Sequence, residues 1–321
     1  MNTRLVLLAG LFVMIGVAWL AAGVIWRAAE LGEQVAPLSP RRFEGLTLVT
    51  AGTGSDRENP VRLGPVMAVG WDTQIVLVDA GRGVAEALRR SGIPVTQPSH
   101  VLLTNLLPEN TIGLDDLLAT GWLQDRAEPL QVLGPPGTAE LVLHLLAAHR
   151  RGLDALGSAL PLTAEGGRIT VREVAGGDAE QLAGVTIRAA AIEGGPLPAL
   201  AWRFERGRSS LVISGTGWAG DALVELARGA GLLVHEAVYV PPDESIEEAG
   251  VMVAPERLAA ERAVHTQIEA VGALARRAEV AGLVLVRLRP PPFFAAQLRS
   301  IVAKEYGGEI YVPDDGDEIV P

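Results

Sequence analysis

The stretch "TNLLPENTIGLDDLL", residues 104–118, decides how the rest of the chain is read. Thr104 closes the apolar run "SHVLL", a short polar turn follows, and Gly113-Leu114 open a segment with helical periodicity. In α/β folds such a strand-to-helix turn, at the carboxyl end of a strand, is where ligands and metals are held. This turn contains no histidine. Asp115 and Asp116 follow at the start of the helix, where carboxylates favour the helix dipole without any ligand.

Outward from this loop the elements come in a regular order. Upstream, "LTLVTAGTG" reads as a strand running into a Gly-rich turn. "VMAVGWDTQIVLVDAG" reads as a hairpin turning near Trp71 to Thr73, and "RGVAEALRRSG" as a helix ending at Gly92. Downstream, "RITVREV", "VTIRAAAI", "ALAWRF", "SSLVIS", "LLVHEAV" and "GLVLVRL" read as strands, with helices at about 219–228 and 266–277. Two such halves imply two sheets packed face to face between helical layers. "TAGTGS" lacks the lysine of a P-loop and the glycine spacing of a dinucleotide fingerprint. The acidic end, "PDDGDEIVP", reads as a solvated tail.

The chain has 321 residues, 49% hydrophobic, with a formal net charge of -11 and no cysteine. Disulfides, thiolate metal sites and a cysteine nucleophile are thereby excluded. An acidic chain is poorly matched to a phosphate backbone, so the expectation is no nucleic-acid partner. From Leu5 to Trp26 runs an uncharged apolar segment that as a helix extends roughly 33 Å, enough to cross a bilayer core of about 30 Å. It is longer than the apolar region of a cleaved signal peptide, normally about 7–15 residues. The expected organisation is a transmembrane anchor over 1–27, a tether over 28–43 and a domain over 44–321.

"TAGTGS", the hairpin ending "VDAG", the loop from Thr104 to Gly113-Leu114, "GPPGT", "LVISG", "LLVHEA", "AVHT" and "LVLVRL" stand in the order and spacing of metallo-β-lactamase-fold hydrolases. The resemblance covers roughly 45–312 and is nearest in flavour to the ribonuclease Z-like and arylsulfatase-like branch. It implies an α/β, four-layer αββα sandwich, here preceded by the one N-terminal transmembrane helix read from the apolar run. In that family a Thr-His-x-His-x-Asp-His loop and further ligands bind one or two divalent metals that activate water. Laid on this chain, those positions fall on Asn105, Leu107, Glu109 and Asn110, then on Glu193, Thr216 and Arg287. Every ligand position differs. Asp79, Gly81, Gly113, Ser214 and Gly215 match the family, as do His235 and Glu236 at a strand end and the His265-Thr266 pair.

The chemistry of these changes is separate from the resemblance. A catalytic zinc needs about three His, Asp or Glu ligands and an open water position, whereas Leu107 has no donor and arginine has only donors. A guanidinium about 4 Å from a doubly charged metal is repelled by on the order of 8 kcal/mol at an effective dielectric of 20. An ion pair of Arg287 with Glu193 and Glu109 is expected in the metal's place. His235, Glu236 and His265 form a residual polar group, read either as acid–base chemistry or as hydrogen bonding at strand ends. His100, His144 and His149 read as structural or solvated.

The leading expectation is therefore a catalytically inactive, membrane-anchored hydrolase fold. It would bind no metal or cofactor and would serve as a structural or assembly subunit of a membrane complex, for example respiratory or photosynthetic. Its partners would be the membrane, through Leu5 to Trp26, and other membrane-protein subunits. The alternative is an anchored esterase or phosphodiesterase with altered ligands, Glu109, Asp116, Glu193 and His265, around Mg or Ca. A vacated cleft that binds a small molecule is a third reading. The charges flanking the span slightly favour a cytoplasmic domain, and against that count the resemblance to exported relatives places the domain extracytoplasmically on a bacterial inner membrane.

Overall fold

The computed structural model describes residues 3–56, 59–192, 197–217, 220–240, 254–289 and 295–321. The chain divides into two units, Met1–Ser39 and Pro40–Pro321. The first is one helix, α1 (Thr3–Val35), whose Gly10–Gly32 window has a mean hydropathy of 1.9. Phe12, Trp19, Leu20, Ile25 and Trp26 stand exposed along it. The helix continues through much of the segment read as a tether, because Ala28, Ala29, Glu30 and Leu31 are good helix formers and no proline intervenes before Pro37.

The second unit holds two sheets of seven strands. The first consists of β1 (Phe43–Gly52), β2 (Val66–Asp72), β3 (Gln74–Val78), β4 (His100–Leu102), β5 (Leu130–Gly134), β6 (Ile169–Glu173) and β14 (Asp317–Ile319), in the order β14-β1-β2-β3-β4-β5-β6. The second consists of β7 (Ala179–Leu182), β8 (Val185–Ile192), β9 (Ala199–Arg206), β10 (Ser209–Ile213), β11 (Leu232–Val238), β12 (Gly282–Arg289) and β13 (Glu309–Tyr311), in the order β13-β12-β11-β10-β9-β8-β7. Hairpins form the β1-β2-β3 and β7-β8-β9-β10 parts, β14 joins β1 antiparallel at the sheet edge, and parallel pairing with intervening helices forms the rest.

Side-chain alternation builds the layers. In β11, Leu232 and Val234 point between the sheets, while Leu233 and Ala237 point outward against helices. A strand buried on both faces therefore reads as a continuous apolar run, which is why "LLVHEAV" and "GLVLVRL" stood out. Trp71, Phe204, Val234 and Val284 pack in the inter-sheet core. Helices α2 (Val84–Arg90), α4 (Leu114–Leu123) and α5 (Thr138–Ala159) cover the outside of the first sheet. Short α3 (Pro108–Thr111) precedes α4. Helices α6 (Asp221–Ala227), α8 (Ile268–Arg277) and α9 (Ala295–Val302) cover the second, and α7 (Pro255–Val264) leads into α8. The arrangement is the two-sheet α/β sandwich that the resemblance implied.

The acidic terminus is not a solvated tail. β14 pairs antiparallel with β1, and Ile319 is buried in the inter-sheet core. Asp315 accepts hydrogen bonds from Thr53 N at 2.8 Å, Thr53 Oγ1 at 2.7 Å and Leu63 N at 2.6 Å, and Asp314 pairs with Arg62 at 2.6 Å. The carboxylates fold back to satisfy a loop whose own amides have no strand partner. Asp315→Ala strands those donors and is expected to cost about 1–3 kcal/mol in urea unfolding, with the denaturant slope unchanged. A loss within about 0.5 kcal/mol, the usual range of surface substitutions, would return these residues to a tail.

Candidate functional site

The site lies where the two sheets meet at the carboxyl ends of their strands. Leu200 N donates to Thr104 O at 2.7 Å and Trp202 Nε1 to Leu103 O at 3.2 Å, so the end of β4 is held directly against β9 of the other sheet. The turns there leave no room for a side chain. A Cβ at Gly113 would lie 2.1 Å from Gly81 O, and one at Gly215, whose φ is 67°, would lie 2.3 Å from Thr104 Oγ1. These contacts explain why Gly113 and Gly215 keep the resemblance although the neighbouring polar residues have changed.

At the centre is a buried ion pair between Asp79, just after β3, and Arg287 in β12. The Asp79 carboxylate also accepts from Thr104 N at 2.8 Å and from Thr104 Oγ1. Arg287 Nη1 donates to Asn110 Oδ1 at 2.6 Å and Thr216 Oγ1 at 3.1 Å, and lies 3.6 Å from Glu109 Oε1. Asn110 Nδ2 in turn donates to Asn105 Oδ1 at 2.6 Å. Both members of the pair have positive φ, 64° for Asp79 and 53° for Arg287, conformations held by the surrounding bonds. Arg287 N donates to Thr53 O at 2.8 Å. Burial pushes the Asp79 carboxyl up to about 6, against the opposing pull of Arg287 and the Thr104 hydrogen bonds.

This arrangement does not fit a divalent metal. Among the described residues, no three His, Asp or Glu side chains form a group able to hold one. Arg287 bonds to both Asn110 and Thr216, two of the positions where the resemblance places ligands. Asp116 is bonded to Thr120 Oγ1 at 2.8 Å, and Glu193 lies outside the described residues. The expected partner of Arg287 thus needs amending. Glu109 is near, but the direct pair is with Asp79, 208 residues away in the chain.

Beside the pair stands a second carboxylate group. Glu236, buried at the end of β11, accepts from Thr266 N at 2.9 Å, Gly217 N at 3.2 Å and His265 Nδ1 at 3.0 Å. The bond to Glu236 fixes the His265 ring and leaves Nε2 as its other nitrogen. Glu109 accepts from Thr216 Oγ1. The adjacent residues Thr216 and Gly217 thus tie Glu109 on one side to Glu236 and His265 on the other. His235 is separate: it is buried, its Nδ1 meets Ser214 Oγ, and its Nε2 has no partner among the described residues. Burial pushes it down to about 4.

A cleft of about 410 Å³ opens over these residues. Asn105, Glu109, Thr216, His265 and Arg289 are among the polar groups that line it, and Leu107, Ile112, Ile192, Leu197 and Val264 form apolar wall. Of the candidate site residues singled out from sequence, His235, Glu236, Asn110 and Arg287 lie outside the lining. Away from it, His149 Nε2 meets Asp115 Oδ2 at 2.8 Å, tying α5 to α4. Arg289 was missed. It pairs with Asp56 and lies 3.8 Å from Glu261, while its Nε has no acceptor among the described residues. A second arginine two residues after Arg287 was the available signal.

Two outcomes follow from the buried charges. Arg287→Met leaves Asp79 unpaired and is expected to cost about 3–5 kcal/mol in urea unfolding. The double variant Asp79→Asn, Arg287→Met removes the stranded charge and regains part of that loss; strict additivity would deny the coupling. For His235, the folded state resists protonation until about pH 4 while the unfolded chain takes up a proton near 6.5. Its contribution is therefore full above pH 6.5 and lost as pH falls to 4, about 3 kcal/mol in all. Asp79, shifted upward, runs the opposite way, its contribution lost as pH rises from 3.8 to about 6. The stability difference between the parent and His235→Asn isolates the histidine, and should move by that amount between pH 6.5 and 4. A constant difference would show that His235 does not titrate as its burial requires.

No protein-family model matches the chain. It is 33% identical over 277 residues to a ribonuclease Z of Mycobacterium bovis (strain BCG / Pasteur 1173P2), covering 84% of this chain and 96% of that one. A ribonuclease Z of Mycobacterium sp. (strain KMS) is 35% identical over 270 residues, covering 82% and 92%. Among solved structures, the metallo-β-lactamase fold protein YhfI from Bacillus subtilis superposes with a TM-score of 0.66 at 16% identity, covering 86% and 99%. Human tRNase Z, short form, superposes at 0.63 and 18% identity, covering 85% and 98%; these likenesses concern the fold. The relatives are named for an enzymatic activity on RNA, which overturns two expectations drawn from the sequence. The reading of a non-enzymatic structural subunit of a membrane complex is withdrawn, because it treated loss of the ligand pattern as loss of all chemistry. The exclusion of nucleic acid is withdrawn with it, because a net charge summed over the chain does not describe one cleft.

Proposed function

The chain belongs to the ribonuclease Z family of metallo-β-lactamase-fold proteins, and from that premise we propose a phosphodiester hydrolase in which the Arg287 guanidinium stands where the family's divalent metal would be. The observation that carries this reading is the pair of titratable groups on one cleft. Glu109 and His265 both line it and are joined through Thr216 and Gly217. In the proposed reaction Glu109 takes a proton from the attacking water. His265, as the imidazolium held through its Nδ1–H by Glu236, donates its Nε2 proton to the leaving oxygen and is left as the neutral ring. Arg289 and Arg82, also on the cleft, face the phosphate oxygens. The names of the relatives support RNA as the first substrate to test.

The test uses the full chain in lipid nanodiscs, with RNA and bis(p-nitrophenyl) phosphate as substrates, in excess chelator. Cleavage is expected to persist, and His265→Ala and Glu109→Gln are each expected to lower it by about 10²–10⁴-fold. Absence of cleavage, or cleavage abolished by chelator and restored by zinc, would contradict the proposal.

The same reading includes a membrane tether. The apolar α1 supports it by length and hydropathy, with the domain on the extracytoplasmic side of a bacterial inner membrane. Removing residues 1–39 should then release the protein from the membrane fraction, and protease added to spheroplasts should digest the intact domain. Retention of the truncated chain, or a protected domain, would contradict the tether or its side respectively.

A further inference from the structure

Resting on the hydrolase reading of the same cleft, we propose that its preferred substrate is an amphiphile, a phosphodiester one of whose substituents is an aliphatic chain. The cleft is graded from a polar floor to a rim where aliphatic side chains stand among charged ones. Asn105 and Thr216 are 3% and 6% exposed, and the side chains of Glu109 and His265 are 6% and 10% exposed. At the rim aliphatic side chains stand exposed, Ile112 at 60%, Leu197 at 41% and Val264 at 36%, beside the exposed charged residues Asp56 and Arg82. Leu107 and Ile192 continue the apolar wall inward, so aliphatic surface runs from the rim towards the polar residues. Exposed aliphatic side chains scattered singly need no explanation, but several gathered round one cleft mark a binding surface.

The chemistry of the two zones selects the ligand. A cleft of about 410 Å³ is within the range of small-ligand sites, about 300–1,000 Å³. Its polar residues suit an ester group: the Arg82 and Arg289 guanidiniums line the cleft, and such groups donate to phosphate oxygens. The wall residues Leu107, Ile112, Ile192, Leu197 and Val264 are all aliphatic, and aliphatic surface gains by covering a saturated chain. Independently, the chain carries a helix long and apolar enough to span a bilayer, which keeps the enzyme where amphiphiles concentrate.

The experiment compares p-nitrophenyl butyl phosphate with p-nitrophenyl methyl phosphate, esters with the same leaving group, on the full chain in nanodiscs. Calorimetric binding of butyl phosphate and methyl phosphate is measured in parallel. The butyl compounds are expected to be favoured by about tenfold in both kcat/KM and affinity, since burying two or three methylenes suffices for that factor. In Ile112→Ser, Val264→Ser the ratio should fall towards one, which separates the cleft from partitioning into the nanodisc lipid. Equal constants for the methyl and butyl compounds would overturn the proposal, as would a preference that survives the double variant. If neither ester is hydrolysed but butyl phosphate binds with the expected preference, the hydrolase reading fails and the ligand class stands. Failure of both to bind overturns the ligand class as well.

Discussion

A guanidinium cannot be taken out of water and left alone, and much of the site follows from that constraint on Arg287. Its side chain is 5% exposed, in a strand buried on both faces. Desolvation of such a charge costs several kcal/mol unless ion pairing and hydrogen bonds offset it. Asp79 supplies the opposite charge, Asn110 and Thr216 supply acceptors, and Asn105 in turn orients Asn110. These partners come from both sheets and from α3, so one buried cation ties together the ends of elements that the inter-sheet core leaves free. The left-handed backbone at Asp79 and Arg287 is a local cost that this network sustains.

The neighbouring carboxylate group has a different physical character. Glu236 is satisfied by two backbone amides and His265, and the histidine faces the cleft. Glu109 stands between the two groups, 3.6 Å from Arg287 and bonded to Thr216. A structural ion pair and the proposed acid–base pair, which lines the cleft, can thus share one mouth, because the first is sealed beneath the second. An arginine network at Asn110 and Thr216 and titratable groups on the cleft are compatible in this geometry. That distinction was missed when the changed ligand positions were read as inactivity.

The legibility of the sequence followed the physics. Strands buried on both faces and helices with clear apolar periodicity were readable, because local pattern and tertiary burial agree there. The hairpin at Thr73 and the helix ending at Gly92 are local events of the same kind. The acidic terminus was misread because clustered carboxylates look solvated, whereas three of its residues form a strand against β1 and Asp315 caps a distant loop. Asp79 was recognised as a family position, but nothing local shows its partner 208 residues away. The Glu236–His265 pair was visible as two motifs and became a site only when Thr266 and Gly217 closed round the carboxylate. The grading of the cleft was hidden, since Ile112, Leu197 and Val264 look like ordinary apolar residues in three separate segments.

The central claim is that an internal arginine occupies the place of a divalent metal. The most direct measurement is crystallography of the full chain after equilibration with zinc, using anomalous scattering at the zinc edge. The account predicts no peak among Asp79, Asn110, Thr216 and Arg287, with the guanidinium still bonded to Asp79. A strong peak there, with Arg287 displaced, would contradict it and restore metal-activated water to the site.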